Sequence, residues 1–238
     1  MLTPSQNLHG FVVDDDSCSI LFGKGFGPKP YQELFDHWTK DFSQLTFTSE
    51  ERQLGELLQK RMHSRSSRTY EGCLSGVVSA IFQKLMTKFA SNCCALTNLE
   101  VVHQTYVPLK TSSSADITIM DCCSSDENVT IHSIMEVTWE IDDSQFPESQ
   151  ACAYASWFNS VGSYNHTWLP TFVLTKTHYQ IGVAIKSIQN HWGFSEIAMY
   201  SKDDVPFRVE DVDPLLRFAV VGLHSIIDHF QSCNLVKY

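Results

Sequence analysis

The sequence predicts an α/β fold with a helical elaboration at its N-terminus. Apolar residues recur at intervals of three and four over 70–91, which is typical of a helix that packs against a sheet. Three runs rich in β-branched residues follow at 99–107, 115–121 and 128–139, and they indicate three strands. A second helical pattern and another apolar strand come next. Because 238 residues are many for one domain and few for two, we expect one core with an elaboration.

The boundary between these two parts is predicted at the start of the long helix. Residues 1–69 form the elaboration, packed on the core, and residues 70–238 form the core with a C-terminal hairpin and helix. Within the elaboration, 31–46 has helical spacing, and the segment Thr-Ser-Glu-Glu at 48–51 is typical of a helix start. The apolar stripe of that second helix is predicted to consist of Leu54, Leu57 and Leu58.

The second half of the core is predicted to alternate in the same way. A helix covers 150–162, and one long strand with alternating character covers 171–185. A hairpin is expected within 194–211, and a closing helix over 213–230. The buried face of this helix is predicted to consist of Leu215, Leu216, Ala219, Val220, Leu223 and Ile227.

Charge and cysteine content restrict the classes of function. A formal net charge of −10 argues against a protein that coats nucleic acid by bulk attraction, but it permits an enzyme with a local basic groove. The eight cysteines include two adjacent pairs and no CxxC spacing. This pattern indicates neither a disulfide framework nor a zinc site, so we expect buried thiols.

The hydropathy pattern indicates no membrane association. No apolar run approaches the roughly 20 residues that span a bilayer. The N-terminal segment MLTPSQNLHGFVVDDD has neither a basic region nor a secretory apolar core. We therefore expect an intracellular protein without a signal peptide, and the sequence does not distinguish nucleus from cytoplasm.

Two carboxylates are predicted to meet on neighbouring strands. If the second and third strands pair through the polar turn CSSDEN, Asp116 and Glu136 can meet at the end remote from that turn. Their hard oxygen donors suit Mg²⁺, or Mn²⁺ in its place, and such an ion can neutralise a phosphate and lower the pKa of a water molecule. Alternatively, Asp116 ends or caps a strand and Glu136 pairs with a basic side chain.

The order of elements over 70–186 resembles the PD-(D/E)XK nuclease superfamily. The restriction-endonuclease-like core of that family consists of a helix, a three-stranded meander, a crossover helix and a strand, around a mixed sheet. The resemblance implies that Asp116 is the metal-binding aspartate and that Glu136 is the acidic residue of the E-x-K motif. It also implies a ligand role for the Val137 carbonyl and for Glu71, the counterpart of an acidic residue that many members carry in the first core helix.

The helix QACAY strengthens the resemblance. Gln150 and Tyr154 match the Q-x-x-x-Y element of the RecB-type branch, which lies near the active site and DNA. A metal-dependent deoxyribonuclease is the activity implied. A looser similarity is to nuclease-like domains of crinkler-type effectors, which often accompany a kinase-like domain. The partners implied are thus DNA and a kinase-like or other domain of a longer parent protein. A homodimer with a second copy of the chain is a further expectation.

The chain departs from the family at the motif lysine. Thr138 stands two residues after Glu136, where lysine would help to activate water and stabilise negative charge. Lys176 on the following strand, or Lys110 before the second strand, could substitute if it reaches the site. Without such a replacement, the chain is a catalytically inactive nuclease fold that binds nucleic acid or a protein partner.

Several residues have a structural explanation beside the functional one. Arg61, Arg65 and Arg68 belong to the most basic stretch, which is either a solvated loop near a helix C-terminus or a phosphate-contacting segment. The helix dipole alone can account for Glu71. If the chain is instead an unrelated α/β interaction domain with structural acids, Asp116 and Glu136 should lie far apart.

The histidines of the closing helix are not predicted to form a site. His224 and His229 are five positions apart, which suits joint metal ligation poorly compared with a spacing of three or four. We expect one to be partly buried and the other exposed.

Overall fold

A six-stranded mixed sheet forms the centre of the structure. The computed structural model describes residues 45–63, 71–90, 93–107, 110–121, 130–138, 147–161, 168–175, 178–186, 192–201 and 212–235. The helices in these ranges are α1 (Ser49–Met62), α2 (Glu71–Ala90), α3 (Pro147–Val161) and α4 (Asp213–Leu235), with a short 3-10 helix at Cys94–Asn98. The strands are β1 (Leu99–Val107), β2 (Lys110–Asp121), β3 (Ile131–Val137), β4 (Trp168–Leu174), β5 (His178–Lys186) and β6 (Trp192–Ser201).

The strands lie in the sheet in chain order. Strands β1, β2 and β3 form an antiparallel meander, β3 and β4 are parallel, and β4, β5 and β6 are again antiparallel. Parallel neighbours need a crossover connection, and α3 lies between β3 and β4 in the chain. The general α/β class with a mixed sheet is therefore confirmed.

Helices cover both faces of the sheet. The larger apolar cluster joins α2 and α4 to side chains such as Met135 and Phe172, and α1 adds Leu58 and Met62 to it. The smaller cluster joins α3 to the opposite face, where Ile134 points. All seven residues of β3 are consequently buried, as is usual for a strand with helices on both sides.

Helix α1 begins as the sequence predicts. Thr48 caps it: the Glu51 amide donates to Thr48 Oγ1 at 3.3 Å, and the Thr48 amide donates to Glu51 Oε2 at 2.6 Å. The same buried carboxylate accepts a hydrogen bond from Lys88 of α2 at 2.9 Å. Leu58 of the predicted apolar stripe is buried. The prediction is wrong for Leu57, which is 38% exposed.

The predicted long strand over 171–185 is wrong. The chain reverses between β4 and β5, and Thr175 accounts for the reversal. Its amide donates to the His178 carbonyl at 2.8 Å, and its hydroxyl accepts from the His178 amide at 3.0 Å. Lys176 was expected on a strand; it lies outside the described residues, between the end of β4 and the start of β5.

Other predicted boundaries shift without changing the order of elements. Strand β2 starts at 110 rather than 115, and β3 covers 131–137 rather than 128–139. The predicted hairpin over 194–211 is represented by β6, while 202–211 lie outside the described residues, as do 1–44 with most of the helix predicted over 31–46. The division at residue 70 stays a prediction. No helix in the described ranges is long and apolar enough to cross a membrane.

A glycine pair gives a test of the packing between α4 and the sheet. A Cβ on Gly222 of α4 would lie 2.6 Å from Cε1 of the buried Phe172 ring, whereas a Cβ on the exposed Gly76 of α2 meets nothing within 4 Å. We expect Gly222→Ala to lower the free energy of unfolding by about 1–3 kcal/mol through overpacking. Gly76→Ala should raise it by about 0.5–1 kcal/mol through helix propensity. Urea unfolding measures both, and equal effects of the two substitutions would contradict the packing described.

Candidate functional site

Strands β2 and β3 bring Asp116 and Glu136 together. Ile117 stands opposite Met135 in the antiparallel register, so the next step places Asp116 opposite Glu136 on one face of the sheet. The Val137 amide donates to Asp116 Oδ2 at 2.8 Å, which fixes the Asp116 carboxylate beside the third strand. The hypothesis of an unrelated interaction domain with structural acids predicted that these two residues lie far apart. The structure does not show such a separation.

The two carboxylates differ in burial. Glu136 is 3% exposed and shares the face of Ile134, which packs toward α3. Asp116 is half-buried, close to the end of the paired region. Burial of a carboxylate is costly unless hydrogen bonds or an opposite charge compensate it. Together the two residues offer hard oxygen donors for a divalent cation, one enclosed and one accessible.

Helix α3 adds two polar residues above this pair. Gln150 and Tyr154 lie four positions apart and therefore on one face of the helix. The Gln150 side-chain amide donates to the Tyr154 hydroxyl oxygen at 3.1 Å. Tyr154 is 2% exposed and its ring meets Trp157 edge-on, with centroids 5.7 Å apart, so packing holds the ring in place. The Q-x-x-x-Y pair is thus a connected unit on the helix that covers Glu136.

The pKa of Tyr154 links it to the carboxylates. Burial raises this pKa well above the ordinary tyrosine value, and the negative charges of Glu136 and, to a smaller extent, Asp116 raise it further. The hydrogen bond from Gln150 acts in the opposite direction. The Tyr154 hydroxyl therefore keeps its proton, and it is a neutral hydrogen-bond donor close to both acids.

The position of the expected lysine is enclosed. Thr138 is 8% exposed, and its amide donates to the Leu174 carbonyl at 2.9 Å, which continues the pairing of β3 with β4. The Val137 side chain belongs to the larger cluster on the opposite face of the sheet, so only the Val137 backbone faces Asp116. Thr138 therefore places no positive charge at this position.

The remaining predicted residues are not brought to the pair by the described structure. Arg61 is half-buried in the last turn of α1, and α1 packs with α2 and α4 on the other face of the sheet. Glu71 opens α2, and its side chain is not described. Arg65, Arg68 and Lys176 lie outside the described residues.

The alternative lysine is poorly placed to substitute. Lys110 opens β2, six positions before Asp116. At about 3.3 Å per residue this separation amounts to roughly 20 Å along an extended strand. Lys110 is therefore an unsuitable replacement for the motif lysine.

A glutamine that the sequence did not single out shares the row of the carboxylates. Glu136 stands opposite Val173 of β4, and Val173 stands opposite Gln180 of β5. Gln180 is buried and points to the same face as Glu136, two strands away. Its signal in the sequence is a polar residue within the apolar run HYQIGVAI. The prediction of one continuous strand over 171–185 concealed it. Residues of a single strand are not neighbours across a sheet, so that prediction did not place Gln180 beside Val173.

The histidines and cysteines also depart from expectation. His224 is half-buried, and His229 is buried rather than exposed. Cys152 is a buried thiol as predicted, whereas Cys73 is exposed. His229 lies close to His132 and Cys233, and these three residues are the group in the described structure with donor atoms close enough to hold one metal ion. Mg²⁺ and Mn²⁺ prefer oxygen ligands, so this group of nitrogen and sulfur donors gives no support for either ion.

Comparison with known proteins assigns no family. No family model matches the chain, and neither the curated proteins nor the solved structures give a significant match.

The raised pKa of Tyr154 leads to a stability prediction above pH 10. There the unfolded chain ionises while the folded state keeps the proton, so each such tyrosine reduces stability by up to about 1.4 kcal/mol per pH unit. Tyr154→Phe should remove one such contribution. Urea unfolding between about pH 8 and pH 11 measures these slopes.

Tyr179 is the matched control for this experiment. It is buried, and burial alone raises its pKa. Tyr179→Phe should therefore reduce the alkaline slope by about as much as Tyr154→Phe does. If Tyr179→Phe reduced the slope and Tyr154→Phe left it unchanged, the folded protein would not hold the pKa of Tyr154 above its ordinary value.

Proposed function

We propose that the chain is a metal-dependent nuclease of the PD-(D/E)XK type that hydrolyses DNA phosphodiester bonds at a two-carboxylate Mg²⁺ site. The observation that carries this proposal is geometric: Asp116 stands beside the third strand opposite Glu136, and Gln150 and Tyr154 form a hydrogen-bonded pair on the crossover helix that packs on this face. An acid pair on adjacent strands with a Q-x-x-x-Y helix above it is the combination that the resemblance requires.

The proposed roles follow from the surroundings of each residue. Asp116 and Glu136 would hold the ion, and the Val137 amide keeps the Asp116 carboxylate in one orientation. A bound Mg²⁺ supplies charge neutralisation of the phosphate and a water of lowered pKa. Tyr154 and Gln150 would orient the substrate strand, since a hydroxyl that stays protonated can donate to a phosphate oxygen.

Substrate attraction must be local in this acidic chain. With 27 acidic and 17 basic residues, the bulk charge repels DNA, so phosphate contacts require a basic patch. Arg65 and Arg68 remain the proposed contacts, while Arg61 lies on the helix that packs on the opposite face of the sheet from the acid pair. Lys176 is the candidate for the lysine that activates water.

A specific observation favours a second candidate function. Thr138 occupies the place of the motif lysine and is enclosed, so it contributes neither positive charge nor a proton relay at neutral pH. A catalytically inactive nuclease fold that binds nucleic acid or a protein partner fits this residue without any replacement.

Cleavage assays test the first candidate. We expect the wild-type protein to cut plasmid or single-stranded DNA with Mg²⁺ or Mn²⁺, and Asp116→Asn to lower the rate at least about 100-fold, because a ligand and its charge are lost. Glu100→Gln is the matched control, since it neutralises an exposed carboxylate on β1, and it should leave the rate unchanged. Lys176→Gln should slow cleavage as Asp116→Asn does if Lys176 supplies the missing cation.

Two results would exclude the enzyme. DNA that remains intact with the wild-type protein under both ions removes the nuclease activity. Equal cleavage by wild type and Asp116→Asn assigns the activity to a contaminant or to another site.

Binding assays test the second candidate. A mobility shift of DNA should persist with Asp116→Asn and should weaken when Arg61, Arg65 and Arg68 are replaced by glutamine. Loss of about three phosphate contacts should also lower the slope of log affinity against log salt by about 2–3. The absence of any shift at low salt would exclude DNA as the ligand and leave a protein partner.

A further inference from the structure

A second group of metal-ligating side chains lies on the other face of the sheet. His132 of β3 and His229 of α4 are buried, and Cys233 of α4 is half-buried. One donor atom from each lies within 4.8 Å of the others. The two Nδ1 atoms are 3.1 Å apart, and the Cys233 sulfur is 3.8 Å from both ring nitrogens of His229.

Two of these separations are close to those of ligands around one tetrahedral zinc ion. With Zn–N distances of about 2.05 Å and a Zn–S distance of about 2.3 Å, tetrahedral angles place two nitrogens about 3.3 Å apart and a nitrogen and a sulfur about 3.6 Å apart. The observed 3.1 Å and 3.8 Å differ from these values by about 0.2 Å. The Cys233 sulfur is also 3.8 Å from Nε2 of His229, whereas a sulfur that shares an ion with Nδ1 would lie more than about 5 Å from Nε2. Binding of one ion by all three residues therefore requires the Cys233 side chain or the His229 ring to rotate.

A β-bulge directs His132 into this group. Ile119 pairs with Ser133, and Met120 pairs with Ile131, so His132 is the extra residue of β3 with no counterpart in the β2 register. A bulge of this kind reverses the alternation of side chains. Ile131 consequently packs in the cluster beneath α3, while the His132 ring meets His229 and Phe230 of α4.

Helix geometry and aromatic packing position the other two ligands. His229 and Cys233 are four positions apart, so they lie on one face of α4 about one turn from each other. The Trp168 ring meets the His229 ring at 90° with centroids 4.9 Å apart, and the Phe230 ring lies 5.0 Å from the His132 ring. These aromatic walls limit the orientations of both imidazoles and exclude water from part of the site.

A hydrogen-bonded histidine pair is the competing explanation. At 3.1 Å, one Nδ1 can donate to the other, which accounts for the two imidazoles. The Cys233 thiol also lies within sulfur hydrogen-bond distance of the His229 ring, so this explanation extends to a thiol–imidazole contact. The two explanations differ in metal uptake, because one cation would bind all three donors at once.

We propose that His132, His229 and Cys233 bind a Zn²⁺ ion that fastens the C-terminal turns of α4 to the bulge in β3. Two imidazoles and a thiolate suit zinc rather than Mg²⁺, which prefers oxygen donors. Three protein ligands leave a coordination position for water. The inference is independent of the proposed nuclease function, because its residues lie on the opposite face of the sheet from Glu136 and Tyr154.

Metal titration of the stripped protein tests this site. We expect the wild-type chain to bind one equivalent of Zn²⁺ and to melt at a higher temperature when it is loaded, because an ion that binds only the folded state stabilises it. Co²⁺ in place of zinc should give the near-ultraviolet band of a thiolate ligand and the intense visible bands of tetrahedral cobalt. Cys233→Ser should abolish the thiolate band and weaken zinc at least about 100-fold, since loss of an outer partner of a ligand alone costs about 10–100-fold.

Cys73→Ser is the matched control, because Cys73 is an exposed thiol on α2. It should bind Zn²⁺ and Co²⁺ as the wild type does. The metal-free Cys233→Ser protein should melt close to the metal-free wild type, which separates loss of a ligand from loss of the fold. His132→Gln provides a second variant that removes Nδ1 and should also lose tight binding.

Two outcomes would overturn the proposal. If the wild type fails to take up Zn²⁺ against a weak chelator, the cluster is a hydrogen-bonded histidine pair with a neighbouring thiol. If Cys233→Ser and His132→Gln bind zinc as tightly as the wild type, the metal lies elsewhere in the chain.

Discussion

The burial of β3 on both faces is the constraint on which the rest of the structure depends. A strand with helices above and below it is ordinarily apolar throughout, because every polar side chain on it must be compensated. Strand β3 nevertheless carries His132 near one end and Glu136 near the other, both almost fully enclosed. Each lies near a polar side chain of a different helix: His132 near His229 of α4, and Glu136 near Tyr154 of α3. The two titratable residues of this strand thus belong to the two candidate sites, whereas the buried Ser133 belongs to neither.

Topology assembles the carboxylate site from residues distant in sequence. The antiparallel pairing of β2 with β3 aligns the two acids, and the parallel pairing of β3 with β4 requires the crossover that carries α3 over them. The continuation of the sheet through β4 and β5 adds Gln180 to the same row. Three polar residues, on β2, β3 and β5, thus share one row of the sheet, and the buried Val173 of β4 interrupts it.

The sequence predicts those features that depend on local periodicity. The apolar spacing of α2, the cap at Thr48 and the strand at 99–107 are found where expected, because each is decided by neighbours within a few residues. The alternation rule also aligns Asp116 with Glu136 correctly, since both lie on the regular side of the bulge. Their proximity could therefore be inferred before any coordinates.

Features that depend on a single irregular residue could not be predicted in this way. The reversal at Thr175 leaves the period of two unbroken in the sequence, so 171–185 resembles one strand. The His132 bulge also leaves no signal in the sequence, because one extra residue within an apolar run does not alter the composition of that run. His229 and Cys233 are far from His132 in sequence, and only tertiary packing brings the three together.

The bulge also has a consequence for the interpretation of chelation experiments. The bulge turns His132 to the face opposite Glu136. One strand therefore presents nitrogen donors on one face of the sheet and oxygen donors on the other, and these donors prefer different metals. If both proposed sites bind metal, a strong chelator would remove both ions together, and a loss of activity would not show which ion is required. Adding back Mg²⁺ and Zn²⁺ separately would then distinguish the proposed catalytic ion from the proposed structural ion.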